Sequence, residues 1–236
     1  AVHDAQRKRA MALWATFMPL GMTVVMLAAP LLSALGWRGF WWLNAAVLLG
    51  YAVLLSRSLA TVPTAPPVIR RSIGEAMAAP GPWILAGLFA AFTASFFAAL
   101  GFLPTLLVEW FAIEPAAASQ LSAVAIAASG LGNLVCGHLL ARGLRPRRLL
   151  ATAFVIQAVC AVFIFAPAMP PGLAYATCLV FTFTGGLIPV VIFDAALRAA
   201  PDAGLVGATL GMAMQGNNLG LLLGPALAGA MASAWG

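Results

Sequence analysis

Residues 83–108 read WILAGLFAAFTASFFAALGFLPTLLV, and this stretch, which has no charged side chain, decides the fold. About 20 consecutive apolar residues are enough for a helix to span the hydrocarbon core of a bilayer. The stretch is continuously apolar, whereas the strands of a membrane barrel alternate between apolar and polar residues. Because a helix satisfies its own backbone hydrogen bonds, which lipid cannot do, the stretch predicts a transmembrane helix.

Six further apolar runs flank this stretch, and together they predict an all-α membrane protein with about seven crossings. The predicted crossings are Ala10–Leu35, Phe40–Ser56, Trp83–Val108, Ala118–Ala141, Leu149–Ala166, Leu173–Leu197 and Leu205–Ala234. The composition agrees, because 63% of the 236 residues are hydrophobic and only 8% are charged. Soluble domains carry about 25% charged residues, so a soluble globular domain is excluded.

The basic residues are distributed unevenly between the two sets of connections. Eleven of the twelve lie at the N-terminus or in the connections on the same side, and only Arg38 lies on the other side, with Glu109 and Glu114. Cytoplasmic connections carry an excess of Lys and Arg. The split predicts a cytoplasmic N-terminus and an external Gly236, and it explains the net charge of +6 without a nucleic-acid partner.

The longest connection, residues 58–82, contains five prolines and divides the chain unequally. We expect residues 1–57 to hold two crossings, residues 58–82 to form a cytoplasmic linker, and residues 83–236 to hold five crossings. The first and last crossings look alike, since each carries small residues and proline and ends near a Trp/Gly pair. Both run outwards, and such parallel repeats are an architecture of transporters.

With these features the chain resembles the major facilitator superfamily. The resemblance rests on the Gly36-Trp37-Arg38-Gly39 turn, the Pro- and Arg-bearing central connection, the basic loop 137–148 and the Gly-Pro helix 205–234. It implies a twelve-helix fold, of which this chain would hold the last two helices of the N-terminal half and the first five of the C-terminal half. The remaining helices would then be partners of those described here.

The same resemblance implies secondary active transport of a small molecule by alternating access, as a permease or an efflux protein. Proton coupling is usual in the family. One lysine against eleven arginines, with abundant alanine, favours a GC-rich bacterial genome and hence the bacterial inner membrane. The family's cytoplasmic loop motif falls on Gly137, Arg142, Arg147 and Arg148. Ala141 stands where the motif usually has an acidic residue, so no charge-relay latch is expected here.

Polar residues inside the crossings are the candidates for a substrate site. Gln215 and Asn218 are three residues apart, hence on one helix face, near the middle of the last crossing, with Asn217 beside them. We expect Gln215 and Asn218 to face the central cavity in the full-length protein, and hydrogen bonding between helices is the alternative. Thr93, Phe96 and Thr184 are weaker candidates, because a threonine can hydrogen-bond to its own helix and a phenylalanine can simply pack.

Asp194 is the clearest charged residue within a crossing, and Arg198 lies four residues later on the same helix face. The pair is either a coupling carboxylate with its partner or an ion pair at the membrane interface that fixes a helix end. Asn133 and His138 share the fourth crossing, and packing or an interfacial position is the commoner role for such a histidine.

Glycines are concentrated in the last two crossings. Gly207, Gly211, Gly216, Gly220 and Gly224 recur every four or five residues, a spacing that favours close helix packing. Gly185-Gly186 with Pro189 predicts a bend in the sixth crossing. Both features are compatible with helices that rock during transport and with static packing.

Other functions fit the sequence less well. Ser129 lies in a loose protease-like motif, but His138 is nine residues along the same helix, about 13 Å away. No phosphate-binding loop and no metal-ligand spacing occur, so we expect no enzyme activity, no metal and no cofactor. The alternative that remains is a seven-helix receptor or signalling protein, which would require an external N-terminus.

Overall fold

Every regular element in the described part of the chain is helical, as expected for an all-α membrane bundle. The computed structural model describes residues 4–59, 73–109, 111–166 and 169–235. A single 3-10 turn, Ala203–Leu205, precedes the last helix. The α-helices are α1 (Asp4–Ala15), α2 (Phe17–Ala34), α3 (Gly36–Leu59), α4 (Ile73–Ala78), α5 (Pro80–Gly101), α6 (Leu103–Glu109), α7 (Pro115–Ala141), α8 (Pro146–Ile164), α9 (Pro171–Gly185), α10 (Leu187–Ala199) and α11 (Val206–Trp235).

Proline begins four of the long helices: Pro80 in α5, Pro115 in α7, Pro146 in α8 and Pro171 in α9. The first turn of a helix has no partner for its N–H groups, so the missing N–H of proline costs nothing there and its fixed φ angle favours the helix. These prolines account for helices that start two or three residues before the predicted apolar runs.

Six helical stretches of the described residues are long and apolar enough to cross a membrane. They are Lys8–Ala28, Gly36–Ser58, Pro80–Glu109, Pro115–Ala141, Pro146–Ile164 and Pro171–Ala199. They coincide with the first six predicted crossings. The predicted second crossing, Phe40–Ser56, was too short at both ends, because α3 extends over 24 residues from Gly36 to Leu59.

The seventh predicted crossing forms α11, which is 30 residues long but is not among the six apolar stretches. Its length of about 45 Å is more than enough to span a bilayer. Gln215, Asn217 and Asn218 together with its glycines lower its mean hydropathy. Its main contact in the bundle is with α5.

Three of the predicted crossings consist of two helices each. The first is interrupted at Thr16, the third at Phe102 and the sixth at Gly186, where the Gly185–Pro189 segment predicted a bend. The interruption at Thr16 follows from Pro19, which has no N–H to donate to the carbonyl of Ala15, four residues earlier. The side chain of Asn133 in α7 donates to this carbonyl instead, at 2.9 Å.

The bundle is arranged around α7 and α10. α1 and α2 pack along α7, α8 packs on α9, and α11 lies along α5. α10 contacts α5, α7 and α8, and its buried side chains include Ile188, Val190 and Ile192. By contrast, no residue in the most apolar part of α3 is buried, and Trp41 and Trp42 are both exposed.

A seam of small residues joins α5 and α11. Gly216, Gly220 and Gly224 each lie so close to α5 that an added Cβ atom would collide with the carbonyl oxygen of Ala86, Ala90 or Ala94, respectively. Both helices repeat the small residue every four positions, which aligns the two faces. Gly207 and Gly211 have open space around them, so the predicted glycine repeat makes contact only from Gly216 onwards.

Two local expectations are modified by the structure. Of the turn predicted at residues 36–39, all four residues belong to α3, and only Leu35 before them is outside a helix. Gly36 begins α3 with a φ of +64°, which suits glycine. Of the predicted linker 58–82, residues 60–72 lie outside the described residues. Apart from Ala79, its remaining part is helical and consists of the end of α3, α4 and the start of α5.

Candidate functional site

A cavity of about 60 Å³ lies between helices from both ends of the chain. A water molecule needs roughly 10–15 Å³ on this scale, so the cavity has room for a few waters or a small molecule. The lining residues are Ala15, Phe17, Met18, Pro19, Met22, Phe89, Phe92, Phe96, Phe97, Ile126, Ser129, Asn133, Pro189, Phe193, Met214 and Asn217. None of them is charged.

The cavity lies well inside the bundle. Asn133 is eight residues before the end of α7 at Ala141, and Asn217 is eleven residues after the start of α11 at Val206. At 1.5 Å per residue these positions are about 12 and 16 Å from the helix ends. The hydrocarbon core is about 30 Å thick, so the polar lining groups lie near its midplane.

Phenylalanines form most of one wall. Phe89, Phe92 and Phe96 recur at intervals of three and four residues, so they lie on one face of α5. Each ring contacts the next one along the helix. The ring centroids of Phe89 and Phe92 are 6.2 Å apart, and those of Phe92 and Phe96 are 5.1 Å apart. Phe193 of α10 meets Phe89 edge-on at 5.7 Å, which is a favoured aromatic geometry.

The only direct side-chain hydrogen bond recorded between α5 and α11 in the described residues joins Thr93 and Asn217. The Thr93 hydroxyl donates to Oδ1 of Asn217 at 2.9 Å, and both residues are buried. Asn217 Nδ2 donates in turn to Oδ1 of Asn218 at 3.4 Å. The amide of Asn217 is thus engaged through both its oxygen and its nitrogen.

Thr93→Val is expected to lower the melting temperature of the purified protein by about 3 °C. Valine keeps the shape of threonine but leaves the buried Oδ1 of Asn217 without a donor, a loss of about 1 kcal/mol. The control is Thr177→Val, since the exposed Thr177 hydroxyl donates only to Leu173 of its own helix. Equal shifts for the two variants in a thermal unfolding assay would show that the bond to Asn217 contributes nothing.

Asn133 is the buried amide of α7 that lines the cavity. Its side chain is buried, with 1% of its surface exposed, and its Nδ2 donates to the Ala15 carbonyl that Pro19 leaves free. A carbonyl can only accept, so this bond fixes which end of the amide is nitrogen. Oδ1 of Asn133 has no hydrogen-bond partner among the described residues.

Gln215 and Asn218 are not among the residues that line this cavity. Both are exposed on α11, and Asn217 is the buried member of the polar group. Their contact with the central cavity of the full-length protein stays a prediction. The seam of Gly216 and Gly220 against α5 sets the rotation of α11, and it turns Asn217 inwards while Gln215 lies in a groove beside Trp83 of α5.

The remaining predicted substrate residues occupy different places. Phe96 lines the cavity. Thr93 stands behind it and positions Asn217. Thr184 is buried outside the cavity, and its hydroxyl donates to Val180 and Phe181 of its own helix at 2.8 and 3.1 Å. A threonine whose hydroxyl is satisfied in this way needs no other partner.

Asp194 and Arg198 form an ion pair along α10. Arg198 Nη2 donates to Asp194 Oδ2 at 2.7 Å; the carboxylate side chain is 1% exposed and the guanidinium side chain is 55% exposed. Oδ1 of Asp194 has no hydrogen-bond partner in the described part of the chain. The pair lies outside the cavity, with the arginine reaching from the buried carboxylate towards the end of the helix.

The residues of the predicted basic loop fall into two groups. Gly137 is within α7, where an added Cβ atom would collide with Ala12 of α1. Arg142, Arg147 and Arg148 are exposed, and only residues 142–145 of the predicted loop are outside helices. The described residues contain no group of three His, Cys, Asp or Glu side chains placed to hold a metal ion.

Comparison with known proteins decides the family. The model of the Major Facilitator Superfamily matches residues 1–225, which is nearly the whole chain. The chain belongs to the major facilitator superfamily. No curated protein and no solved structure is significantly similar to it.

Membership of the major facilitator superfamily identifies the chain as a multi-pass membrane transport protein. This confirms the resemblance stated from the sequence. Proteins of this superfamily act on small molecules within a lipid bilayer, and they are transporters rather than enzymes. The residues around the cavity are therefore candidates for contact with a transported molecule.

Sequence reasoning missed two contributors to this superfamily member's cavity. Phe17, Met18 and Met22 of the first crossing carried no polar signal, and only the packing of α2 along α7 brings them in. Asn133 was noted without a role. The available signal was Pro19 in the first crossing together with the amide of Asn133 in the fourth. A backbone carbonyl that loses its partner to a proline needs another hydrogen-bond donor inside a membrane.

Proposed function

We propose that the protein moves a small molecule across the membrane by alternating access, as a secondary active transporter, and that the cavity is its substrate site. The position of the cavity carries the proposal. Its walls come from α1 and α2, which precede the connection at residues 58–82, and from α5, α7, α10 and α11, which follow it. Movement of one group of helices against the other would open the cavity to one side and then to the other.

Two properties of the cavity support a binding role. Polar groups at mid-depth, Ser129, Asn133 and Asn217, interrupt an otherwise apolar wall. Small-molecule sites commonly combine apolar walls with a few polar groups that fix orientation. We therefore assign substrate contact to Phe96, Asn133 and Asn217, with Thr93 as a positioning residue, in preference to Gln215 and Asn218.

Accessibility of a cysteine in the cavity tests the mechanism. In a variant whose three native cysteines are replaced by alanine, Ser129→Cys should react with a membrane-impermeant maleimide applied from either side of the membrane. An alternating-access protein exposes the same wall to both compartments in turn. The measurement is the labelled fraction in right-side-out and inverted vesicles.

The matched control is Leu131→Cys on the same helix. Leu131 is 60% exposed in the chain and points away from the cavity, towards lipid or another helix, so a thiol there should label poorly from both sides. Labelling of Ser129→Cys from one side alone would contradict alternating access and favour the receptor alternative.

We propose that Asp194 and Arg198 act as an interfacial pair that holds the end of α10, not as the coupling site. The support is the bond of 2.7 Å from a half-exposed arginine to a buried carboxylate. Proton coupling through Asp194 is the competing proposal, because a charged group inside a membrane helix is costly and commonly functional. The stability of Arg198 variants separates the two, as described below.

We also propose that the N-terminus and the Arg-rich connections are cytoplasmic, in a bacterial inner membrane. A green fluorescent protein inserted in the 142–148 loop should fluoresce, and alkaline phosphatase inserted in the 109–117 loop should be active. The reason is the placement of eleven basic residues on one side and one on the other. Phosphatase activity at 142–148 with none at 109–117 would reverse the topology.

A further inference from the structure

We propose that the protein binds an anionic phospholipid from the bilayer, with one acyl chain in a groove between the first crossing and α7 and the phosphate between Arg9 and Arg142. The groove is distinct from the cavity, although Pro19 borders both. The proposal does not depend on the transport function. It follows from the lining of the groove, from its length and from the charge at one of its ends.

The groove is an open feature of about 310 Å³ on the surface of the bundle, between α1 and α2 on one side and α7 on the other. Its wall is almost entirely apolar, and it is lined by Leu13, Thr16, Pro19, Leu20, Thr23, Ala127, Gly130, Leu131 and Leu134. The hydroxyl of Thr16 donates to the Leu13 carbonyl of its own helix at 2.6 Å. Such a wall suits a hydrocarbon chain better than a polar ligand.

Contacts along the groove fix the register of its two sides. A Cβ atom on Gly137 would collide with Ala12, and one on Gly130 would lie 3.8 Å from Pro19, so the two sides run antiparallel. Arg9 is three residues beyond the contact of Ala12 with Gly137, and Arg142 is five residues beyond it. At 1.5 Å per residue, the two arginines differ by only about 3 Å in depth.

Both arginines also lie on the faces that border the groove. Arg9 is one helical turn before Leu13, and both side chains are exposed. On α7, the exposed residues Leu134, His138 and Arg142 recur every four positions, so they follow the groove towards the end of the helix. The groove therefore has basic side chains at one end.

The charge at this end favours an anion. Residues 4–9 and 142–148 together hold seven basic residues and one acidic residue, Asp4. The two arginines lie at the ends of membrane-spanning stretches and hence near the lipid headgroups. The planar guanidinium group matches the oxygens of a phosphate, and basic pockets between transmembrane helices bind anionic headgroups.

The length of the groove favours a lipid chain over a further helix. Leu13 and Thr23 are ten residues apart, so the groove is about 15 Å long, half the thickness of a ~30 Å hydrocarbon core. Beyond this depth α2 and α7 are joined directly, since Ser119 Oγ donates to the Met26 carbonyl at 3.4 Å. A transmembrane helix would need a groove through the whole core, whereas an acyl chain occupies one leaflet.

The experiment is native mass spectrometry of the full chain in detergent, incubated with equal amounts of phosphatidylglycerol and phosphatidylcholine that carry identical acyl chains. One phosphatidylglycerol should bind about 25-fold more tightly than phosphatidylcholine, because each of two arginines near an anionic lipid contributes about fivefold. Glycerophosphoglycerol, which is the same headgroup without acyl chains, should not displace the lipid, because it cannot fill the groove.

Two double variants test the headgroup contacts. Arg9→Gln with Arg142→Gln should lower the preference for phosphatidylglycerol at least about tenfold. Arg147→Gln with Arg148→Gln is the matched control, since it removes the same charge at the start of α8 and leaves the groove intact. The control should change the preference by less than about threefold.

Two phenylalanine variants test the seat of the acyl chain. Gly130→Phe keeps the charge and places a ring in the groove, where its Cβ atom meets Pro19 at an ordinary contact distance. This variant should weaken phosphatidylglycerol binding about tenfold, which corresponds to about two buried CH₂ groups. Val155→Phe, at a position of α8 that is 64% exposed, should bind the lipid like the wild type.

The wild-type chain alone can overturn the proposal, through equal binding of the two lipids or through displacement of the lipid by glycerophosphoglycerol. A preference that survives in Arg9→Gln with Arg142→Gln would overturn the headgroup contacts, and unchanged binding by Gly130→Phe would overturn the acyl seat. A dimer free of lipid would assign the groove to a second copy of the chain instead. None of these results bears on the cysteine labelling, which reports on the cavity.

Discussion

Replacing Gly220 with leucine is expected to lower the melting temperature of the protein by about 10 °C. An added Cβ atom at Gly220 would collide with the Ala90 carbonyl oxygen and would lie 2.9 Å from the Ala94 nitrogen. Both are backbone atoms, so α5 and α11 must separate rather than a side chain rotate. Overpacking commonly costs about 3 kcal/mol, and at this chain length that corresponds to about 10 °C.

Gly211→Leu provides the control on the same helix. Gly211 has open space around it, and leucine is a better helix former than glycine and is favoured in the bilayer, so this variant should be neutral or slightly stabilised. The measurement is thermal unfolding of detergent-solubilised protein, followed by size-exclusion chromatography of heated samples. A loss for Gly211→Leu as large as that for Gly220→Leu would attribute the effect to leucine itself and not to the seam.

Arg198→Met is expected to destabilise the protein by about 2 kcal/mol at pH 7, or about 6 °C. The variant leaves the carboxylate of Asp194 buried and charged without its partner. Removal of one member of a fully buried pair costs about 3–5 kcal/mol. The cost expected here is smaller because the guanidinium of Arg198 is half-exposed.

The double variant Asp194→Leu with Arg198→Met should recover most of this loss, because no unpaired charge is left and an apolar side chain suits the buried site. The two single variants and the double variant form a thermodynamic cycle measured by thermal unfolding. An unchanged melting temperature in Arg198→Met would mean that the pair does not hold α10. The coupling role of Asp194 would then be the better explanation of its burial.

The crossings could be predicted from the sequence because each one is a property of a single segment. A run such as residues 83–108 needs no knowledge of its neighbours to be recognised as a helix in lipid. Interruptions were harder to predict. A bend in the sixth crossing was predicted from Gly185, Gly186 and Pro189. The first crossing is interrupted at Thr16 by Pro19, which has no comparable cluster of glycines beside it.

The cavity was predicted less well, because it depends on the rotation of one helix against another. The spacing of Gln215 and Asn218 fixes their common face but not the direction in which it points. That direction is set by contact of Gly216, Gly220 and Gly224 with the α5 backbone, which no local pattern in α11 reveals. The spacing of Phe89, Phe92 and Phe96 places the three rings on one helix face. The sequence does not show whether that face contacts lipid or lines a cavity.

Where α7 meets the junction of α9 and α10, two glycines bring the backbones of the helices into close contact. A Cβ atom on Gly132 would collide with the Phe183 carbonyl oxygen, and one on Gly186 with the Ser129 carbonyl oxygen. We call this pair of backbone contacts the fulcrum of α10. Phe193 lies seven residues beyond Gly186, about 10 Å along α10, so a tilt of about 10° at the fulcrum would displace its ring by roughly 2 Å. A displacement of this size is comparable to the radius of a water molecule. Because α10 also packs against α5, α7 and α8, such a tilt would move those helices with it and change the capacity of the cavity.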